Sequence, residues 1–231
     1  MHNISFKRHR FPSEVIRHAV WLYAQFSLSY RDVEDLLAER GLDISYETVR
    51  RWFLKFGGPI ARNLRRMRPT PSDYWHLDEM VIVIRGKRHW LWRAVDNEGE
   101  VLDFLVQPKR NARAALKLIR KLLKKQGWAP TRIVTDKLRS YHVAFGKLGL
   151  CAEYVDSKRA NNRAENSHQP VRRRERKMQR FKSPGSAQKF LNIQSATYST
   201  FYVQRHLLTR PLFKRYRAEA FEVWENAGVA A

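Results

Sequence analysis

Three carboxylates in this chain stand in places where an acid needs a reason. Asp78 lies inside an apolar, β-branched run from Tyr74 to Ile84, and Asp136 closes the short apolar run Ile133-Val134-Thr135. Glu165 opens a segment in which Lys and Arg far outnumber acids. Burying a carboxylate is costly unless it binds a metal or a hydrogen-bonding partner. Three carboxylates from three elements can hold two divalent cations about 3.5–4 Å apart, and hard oxygen ligands suit Mg2+ or Mn2+ better than zinc. One ion would lower the pKa of an attacking water or 3′-hydroxyl, and the other would stabilise the leaving oxygen of an in-line phosphodiester displacement. Such chemistry needs no nucleophilic side chain, and the sequence offers no convincing Ser-His or Cys-His pair. Structural ion pairing is the competing explanation for each acid. Glu79 is the decoy beside Asp78: strand alternation turns it to the opposite sheet face, so at most one of the two serves. Asp96 and Asp103 read as turn caps or solvent-facing acids. His168, one turn after Glu165, reads as a surface or ion-pairing histidine.

Positioning these acids takes a sheet. Tyr74–Ile84, His89–Val95 and Val101–Gln107, separated by turns near Gly86 and at Asn97-Glu98-Gly99, predict an antiparallel meander. A helix follows from about Asn111, with Ala115, Leu116, Ile119, Leu122 and Leu123 on one face. Ile133–Thr135 is brief and apolar enough to be a buried parallel strand. A helix through Tyr141, Phe145 and Leu148 and a strand over Ala152–Val155 lead to the helix that carries Glu165. The order βββαβαβα is mixed α/β, and open sheets of this kind place their sites at the carboxyl ends of strands. On that order Asp78 and Asp136 lie on adjacent strands, with the Glu165 helix packed across them.

Ahead of the sheet, Phe11 to Gly57 predicts three short helices with Ser13, Ser29 and Ser45 as N-caps, Asp32 completing a capping box and Gly57-Gly58-Pro59 ending the third. This is the helix-turn-helix plan, in which the later helix enters the DNA major groove. Its outward face presents Tyr46, Glu47, Thr48, Arg50, Arg51 and Lys55, a mix of base-edge readers and phosphate-binding cations. A plain three-helix bundle with a solvated basic face is the competing reading. The predicted division is a helix-turn-helix domain over 1–60, a basic linker over 61–72, an α/β domain over 73–206 and an amphipathic tail over 207–231. Within the last two, a helix is expected over about Ala187–His206, and Gly228–Ala231 should fray.

With 45 Lys and Arg against 22 Asp and Glu, the 231-residue chain carries a net charge of +23, which points to a polyanionic partner, most simply nucleic acid. Hydrophobic residues at 43% and aromatics at 12% argue against disorder. No long apolar run suggests a membrane partner, and the first residues lack the apolar block of a signal peptide, so a cytoplasmic location is expected. A single cysteine, Cys151, excludes a disulfide framework and a thiolate zinc cluster; it reads as a small buried hydrophobe.

Trp75-His76-Leu77-Asp78-Glu79, Trp92-Arg93-Ala94-Val95-Asp96, Val134-Thr135-Asp136-Lys137, Asn161-Asn162-Arg163-Ala164-Glu165-Asn166 and Phe181-Lys182-Ser183 occur in this order. In that set the chain resembles the short bacterial insertion-sequence transposases of the DDE class, over about Tyr30 to Phe201. The resemblance implies a ribonuclease-H-like catalytic domain behind a small all-α helix-turn-helix domain. It also implies Mg2+-dependent cutting and joining of double-stranded DNA at terminal inverted repeats and in target DNA, in a nucleoid-associated enzyme. Asp78, Asp136 and Glu165 match the family's metal-binding triad, taking two Mg2+ or Mn2+ ions. Asn162 matches the asparagine shortly before the glutamate, and Arg172 matches the basic residue two helical turns after it. Arg173 and Arg176 extend that DNA-facing surface. Pro170 falls within this helix, so a kink or a late start is expected. Pairing two element ends implies at least a dimer on DNA. The rival readings are a DNA-binding regulator without catalysis and a nuclease of the same fold acting on RNA–DNA hybrids.

Overall fold

The alternation of apolar and polar residues from Tyr74 onward builds the frame of the site. In a computed structural model, which describes residues 3–229 apart from Lys137, Lys158 and Gln204, strand β1 (Tyr74–Ile84) runs antiparallel to β2 (Lys87–Asp96), and β2 to β3 (Val101–Gln107). Arg85 and Gly86, at φ 50° and 76°, form the two-residue turn between β1 and β2. Two positive φ angles match the right-handed strand twist, which is why glycine is useful there. Strand β4 (Arg132–Thr135) joins β1 in parallel, and β5 (Glu153–Asp156) joins β4 in parallel. The sheet order is β3-β2-β1-β4-β5, the ribonuclease-H-like arrangement that the resemblance implied.

Three helices cover this sheet: α4 (Ala112–Gln126), α5 (Arg139–Leu148) and α6 (Asn162–Lys177). Asn111 caps α4 by accepting from the Ala114 backbone N–H, and Gly127 ends it in the left-handed conformation. Trp75 and Leu77 of β1, Trp92 of β2, Leu118, Ile119 and Leu122 of α4 and Tyr141 of α5 form one buried cluster. Fully burying each such aliphatic side chain contributes about 1.5–3 kcal/mol. Odd-numbered β1 residues up to Glu79 thus face α4 and α5. Helix α6 lies against the other face, where the Asn161 side chain donates to the Leu77 carbonyl (2.9 Å) and Glu175 accepts from the Val83 backbone N–H (2.9 Å). It begins before Pro170 and continues past it, so no late start occurs.

The remaining helices are α1 (Ser13–Gln25), α2 (Tyr30–Ala38), α3 (Tyr46–Met67), α7 (Pro184–Phe201) and α8 (Arg210–Gly228). Ser29 and Asp32 form the expected capping box, and Ser45 caps α3. Ser13 is the first helical residue rather than the cap, its hydroxyl donating to Glu14 (2.8 Å). The expected end of α3 at Gly57-Gly58-Pro59 does not occur. Residues beyond Pro59 earn their place by packing: Ile60, Ala61 and Leu64 are buried, and the Asn63 side chain donates to the Ala227 carbonyl (2.9 Å). Gly57 serves close approach instead, since a Cβ there would come within 2.8 Å of Ile193 Cδ1.

The chain divides into two compact units, residues 70–188 and residues 1–69 together with 189–231. These boundaries differ from those read in the sequence. Residues 61–67 continue α3 and are no linker, and residues from Lys189 onward belong with the amino-terminal helices. Helix α7 stops at Phe201 rather than His206, and a single 3-10 turn (Arg205–Leu207) follows. Arg65 of the supposed connector is engaged by the carbonyl of Asn192 and the Ser195 hydroxyl within that unit. Cys151 is exposed, because it lies in the loop between α5 and the edge strand β5. Lys137 and the two final alanines expected to fray lie outside the described residues.

Candidate metal centre at the strand ends

The parallel pairing of β1 with β4 ends at Leu77 opposite Thr135, so the next residues, Asp78 and Asp136, emerge side by side. Oxygen atoms of Asp78, Glu79 and Asp136 all lie within 4.8 Å of one another. Asp136 sits just past the end of β4, and its Oδ1 is buried with no hydrogen-bond partner among the described residues. Such an orphaned carboxylate oxygen is uncommon and asks for a partner. Burial first, and the neighbouring Asp78 second, push the Asp136 carboxyl above its usual range. Three hard oxygen donors, one of them unpartnered, are a fitting donor set for a divalent cation of the Mg2+ or Mn2+ kind.

Glu79 belongs to this group although alternation turns it away from Asp78. Its side chain is 1% exposed and faces α4 and α5, where Arg110 Nε (2.7 Å) and Nη2 (2.5 Å) both reach Oε1. The Tyr141 hydroxyl donates to Oε2 (3.0 Å). Burial and then the charge of Asp136 raise the Glu79 carboxyl from 4.5 to about 7, against the pull of Arg110. Burial likewise holds the Tyr141 hydroxyl well above its usual value. On the other face His168 of α6 is buried, with Nε2 3.2 Å from Asp78 Oδ2. Burial lowers its pKa from 6.5 despite the opposing pull of Asp78, so the imidazole is neutral near pH 7.

The structure therefore brings Asp78 and Asp136 together, while Glu165 is exposed in the first turn of α6 and lies outside the 4.8 Å group. Glu165 stands one turn before His168, the α6 residue that meets Asp78. Asn162 is exposed at the start of α6, and its neighbour Asn161 is the buried residue that ties the helix to β1. Arg172, Arg173 and Arg176 are exposed along α6. Tyr46, Arg50, Arg51 and Lys55 are exposed on α3 and Thr48 is half-buried; Arg50 pairs with Glu47 (3.2 Å), and Lys55 meets His9 (2.9 Å). Asp96 caps the β2–β3 turn, accepting from Glu98 (3.0 Å) and Glu100 (2.8 Å) backbone N–H groups. Asp103 does not face solvent: it is buried and paired with Lys121 (2.8 Å) and Lys125 (3.5 Å).

Sequence reasoning missed Arg110 altogether. It sits in the irregular β3–α4 loop, where no periodicity marks it, and its one signal was its place directly before the α4 cap.

A family model described as a DDE domain matches residues 72–201. The transposase for the insertion sequence-like element IS431mec of Staphylococcus aureus (strain N315) is 31% identical over 209 residues, 88% of this chain and 91% of that protein. The same identity and coverage hold for the Staphylococcus aureus transposase for insertion sequence element IS257 in transposon Tn4003. Among solved structures, the catalytic core domain of BIV integrase aligns with a TM-score of 0.39 and 15% identity, covering 65% of this chain and 97% of that one. The HTLV-2 integrase catalytic core domain in complex with magnesium aligns with a TM-score of 0.39 and 12% identity, covering 63% and 95%.

Proposed function

The chain belongs to the DDE transposases of bacterial insertion sequences, and on that premise we propose that it binds its element's terminal inverted repeats and cuts and joins DNA there using two Mg2+ or Mn2+ ions held by Asp78, Asp136 and Glu165. The observation that carries the site assignment is the meeting of Asp78 and Asp136 at the ends of β1 and β4, with a buried Asp136 oxygen that has no hydrogen-bond partner among the described residues. When bound, the two ions lower the pKa of the attacking water or 3′-hydroxyl and stabilise the leaving oxygen.

The protein's own residues supply the rest. Asp78 and Asp136 offer fixed carboxylates from adjacent strands, and Glu165 reaches in from the first turn of α6. That helix is held against β1 by Asn161 and Glu175, which fixes the distance Glu165 must span. His168 orients Asp78 without adding a positive charge at the metal position. Further along α6, Arg172, Arg173 and Arg176 hold the phosphate backbone, with Asn162 at the helix start beside Glu165. Tyr46, Thr48, Arg50, Arg51 and Lys55 of α3 read and grip the repeats, as the net charge of +23 favours. Two element ends require at least two protomers, and the partner places the enzyme on nucleoid DNA in the cytoplasm. Among the described residues no helix is long and apolar enough to cross a membrane.

The test is strand transfer on DNA carrying the element's ends, with Glu165→Gln and Glu79→Gln compared. Glu165→Gln should lose about 10³-fold in rate, as expected for the loss of a metal ligand worth several kcal/mol, while repeat binding in a gel shift is unchanged. A fully active Glu165→Gln protein beside an inactive Glu79→Gln protein would move the third ligand to Glu79. Strand transfer that persists without any divalent cation would sink the metal assignment.

A further inference from the structure

Arg110 sits where a cation is wanted. It precedes the α4 cap in the β3–α4 loop, and its guanidinium lies over the Trp90 ring at 5.1 Å from the centroid. Two of its nitrogens reach the same oxygen of Glu79, and Nη2 also faces Asp136 Oδ2 at 3.6 Å. The two contacts are unequal. The Glu79 contacts are short, charge-assisted hydrogen bonds, and Tyr141 fixes the far oxygen of the same carboxylate. The Asp136 contact is too long for a direct hydrogen bond and is electrostatic only. Arg110 is therefore tethered to Glu79 and merely leans on Asp136. Arg110 is the cation whose guanidinium reaches both Glu79 and Asp136.

We propose that Arg110 is a built-in counter-ion which competes with the divalent cation for Asp136, and that Glu79 is its tether rather than a metal ligand. Without metal, the guanidinium offsets the repulsion between Asp78 and Asp136 and keeps their carboxylates converged. With metal, the Asp136 carboxylate would serve the ion, and Arg110 would remain held by Glu79 and Trp90. Arg110 and Glu79 are thus positioning residues that set how tightly the site holds its ion. This rests on the metal-site reading above.

The experiment is Mn2+ binding to the full-length protein without DNA, measured by calorimetry and by the loss of free-Mn2+ paramagnetic signal. Removing a competing unit charge at contact distance should tighten binding in Arg110→Gln by about tenfold, after allowance for solvent at a partly exposed group. Arg110→Lys, which keeps the charge, should stay near wild type. Arg113→Gln, an exposed charge change on the first turn of α4, gives the generic effect of one lost cation and should shift affinity far less. Because Arg110→Gln leaves a buried carboxylate unpaired, the double variant Arg110→Gln/Glu79→Gln, with both groups neutral, is measured as well. It should bind Mn2+ at least as tightly as wild type. Unchanged or weaker binding in Arg110→Gln, or weaker binding in the double variant, overturns the proposal while wild type still binds and Asp136→Asn does not. Should wild type and Asp136→Asn bind alike, or neither bind, the metal-site reading fails and takes this one with it.

Discussion

On the α6 side of β1, Asp78 meets the neutral imidazole of His168 and keeps 15% of its side chain open to solvent. On the α4–α5 side, its neighbour Glu79 is enclosed, bonded through both oxygens to Arg110 and Tyr141. These acids are adjacent in sequence, yet the pleat sends them into different surroundings. Asp78 stays partly open to solvent, and Asp136 keeps a buried oxygen with no hydrogen-bond partner among the described residues. Glu79 is saturated. An acid meant for a ligand is under-satisfied in the free protein; an acid used as scaffold is not. The two sides should therefore answer to neutralisation in different currencies, activity for one and stability for the other.

The largest contrast is expected from the isosteric pair Asp78→Asn and Glu79→Gln. Asp78→Asn should lower strand transfer by about 10³-fold or more, the effect of several kcal/mol removed from transition-state stabilisation, with little change in melting temperature. Glu79→Gln should cost less than about tenfold in rate, since its amide oxygen still accepts from Arg110 while the amide nitrogen can donate to the Tyr141 hydroxyl oxygen. Equal losses in the two variants would erase the distinction between the faces.

The next effect is on the pH dependence of stability in the metal-free protein. Glu79 titrates at about 7 when folded instead of 4.5, so the folded state holds this proton more tightly than the unfolded chain. Its stabilising contribution is fully present below about 4.5 and is lost as pH rises through about 7, at most about 3 kcal/mol across the window. Asp136, raised in the same direction, adds to the slope. Denaturant unfolding in the presence of a chelator, at pH values on either side of that window, should show stability falling as pH rises. Glu79→Gln should flatten the fall; an undiminished slope would show that Glu79 is not the group responsible.

Much of the frame that holds these faces was legible. The β-branched run around Asp78, the strict period of α4 and the capping box Ser29–Asp32 are local signals, and local signals survive without knowledge of partners. The parallel neighbour of β1 followed from one short apolar run and the usual order of such sheets, which placed Asp136 beside Asp78. What escaped depends on contacts far apart in sequence. Gly57-Gly58-Pro59 reads as a helix end, but Ile193 against Gly57 and Ala227 against Asn63 hold α3 together through it. Alternation gave the face of Glu79 correctly. It could not reveal that a loop arginine and Asp136 would meet Glu79 there, because loops carry no period to read.

The smallest test is Tyr141→Phe, which removes one hydroxyl from the saturated face and leaves the ring packed against Trp92 at 5.5 Å. Glu79 Oε2 then loses its donor inside a site too enclosed for easy rehydration, a change that costs about 1–3 kcal/mol when a buried acceptor is left unsatisfied. The loss should be greatest at high pH, where Glu79 is charged, and should shrink below about 7, where its proton can supply a new bond. In a Glu79→Gln background it should nearly vanish at high pH, since no buried charge is left stranded. A double-mutant cycle on melting temperature at two pH values measures this coupling. Strand transfer, by contrast, should change little, because the hydroxyl touches only the scaffold acid. If Tyr141→Phe instead lowers activity as steeply as Asp78→Asn, Glu79 is part of the reacting site, and the two faces of β1 serve one purpose rather than two.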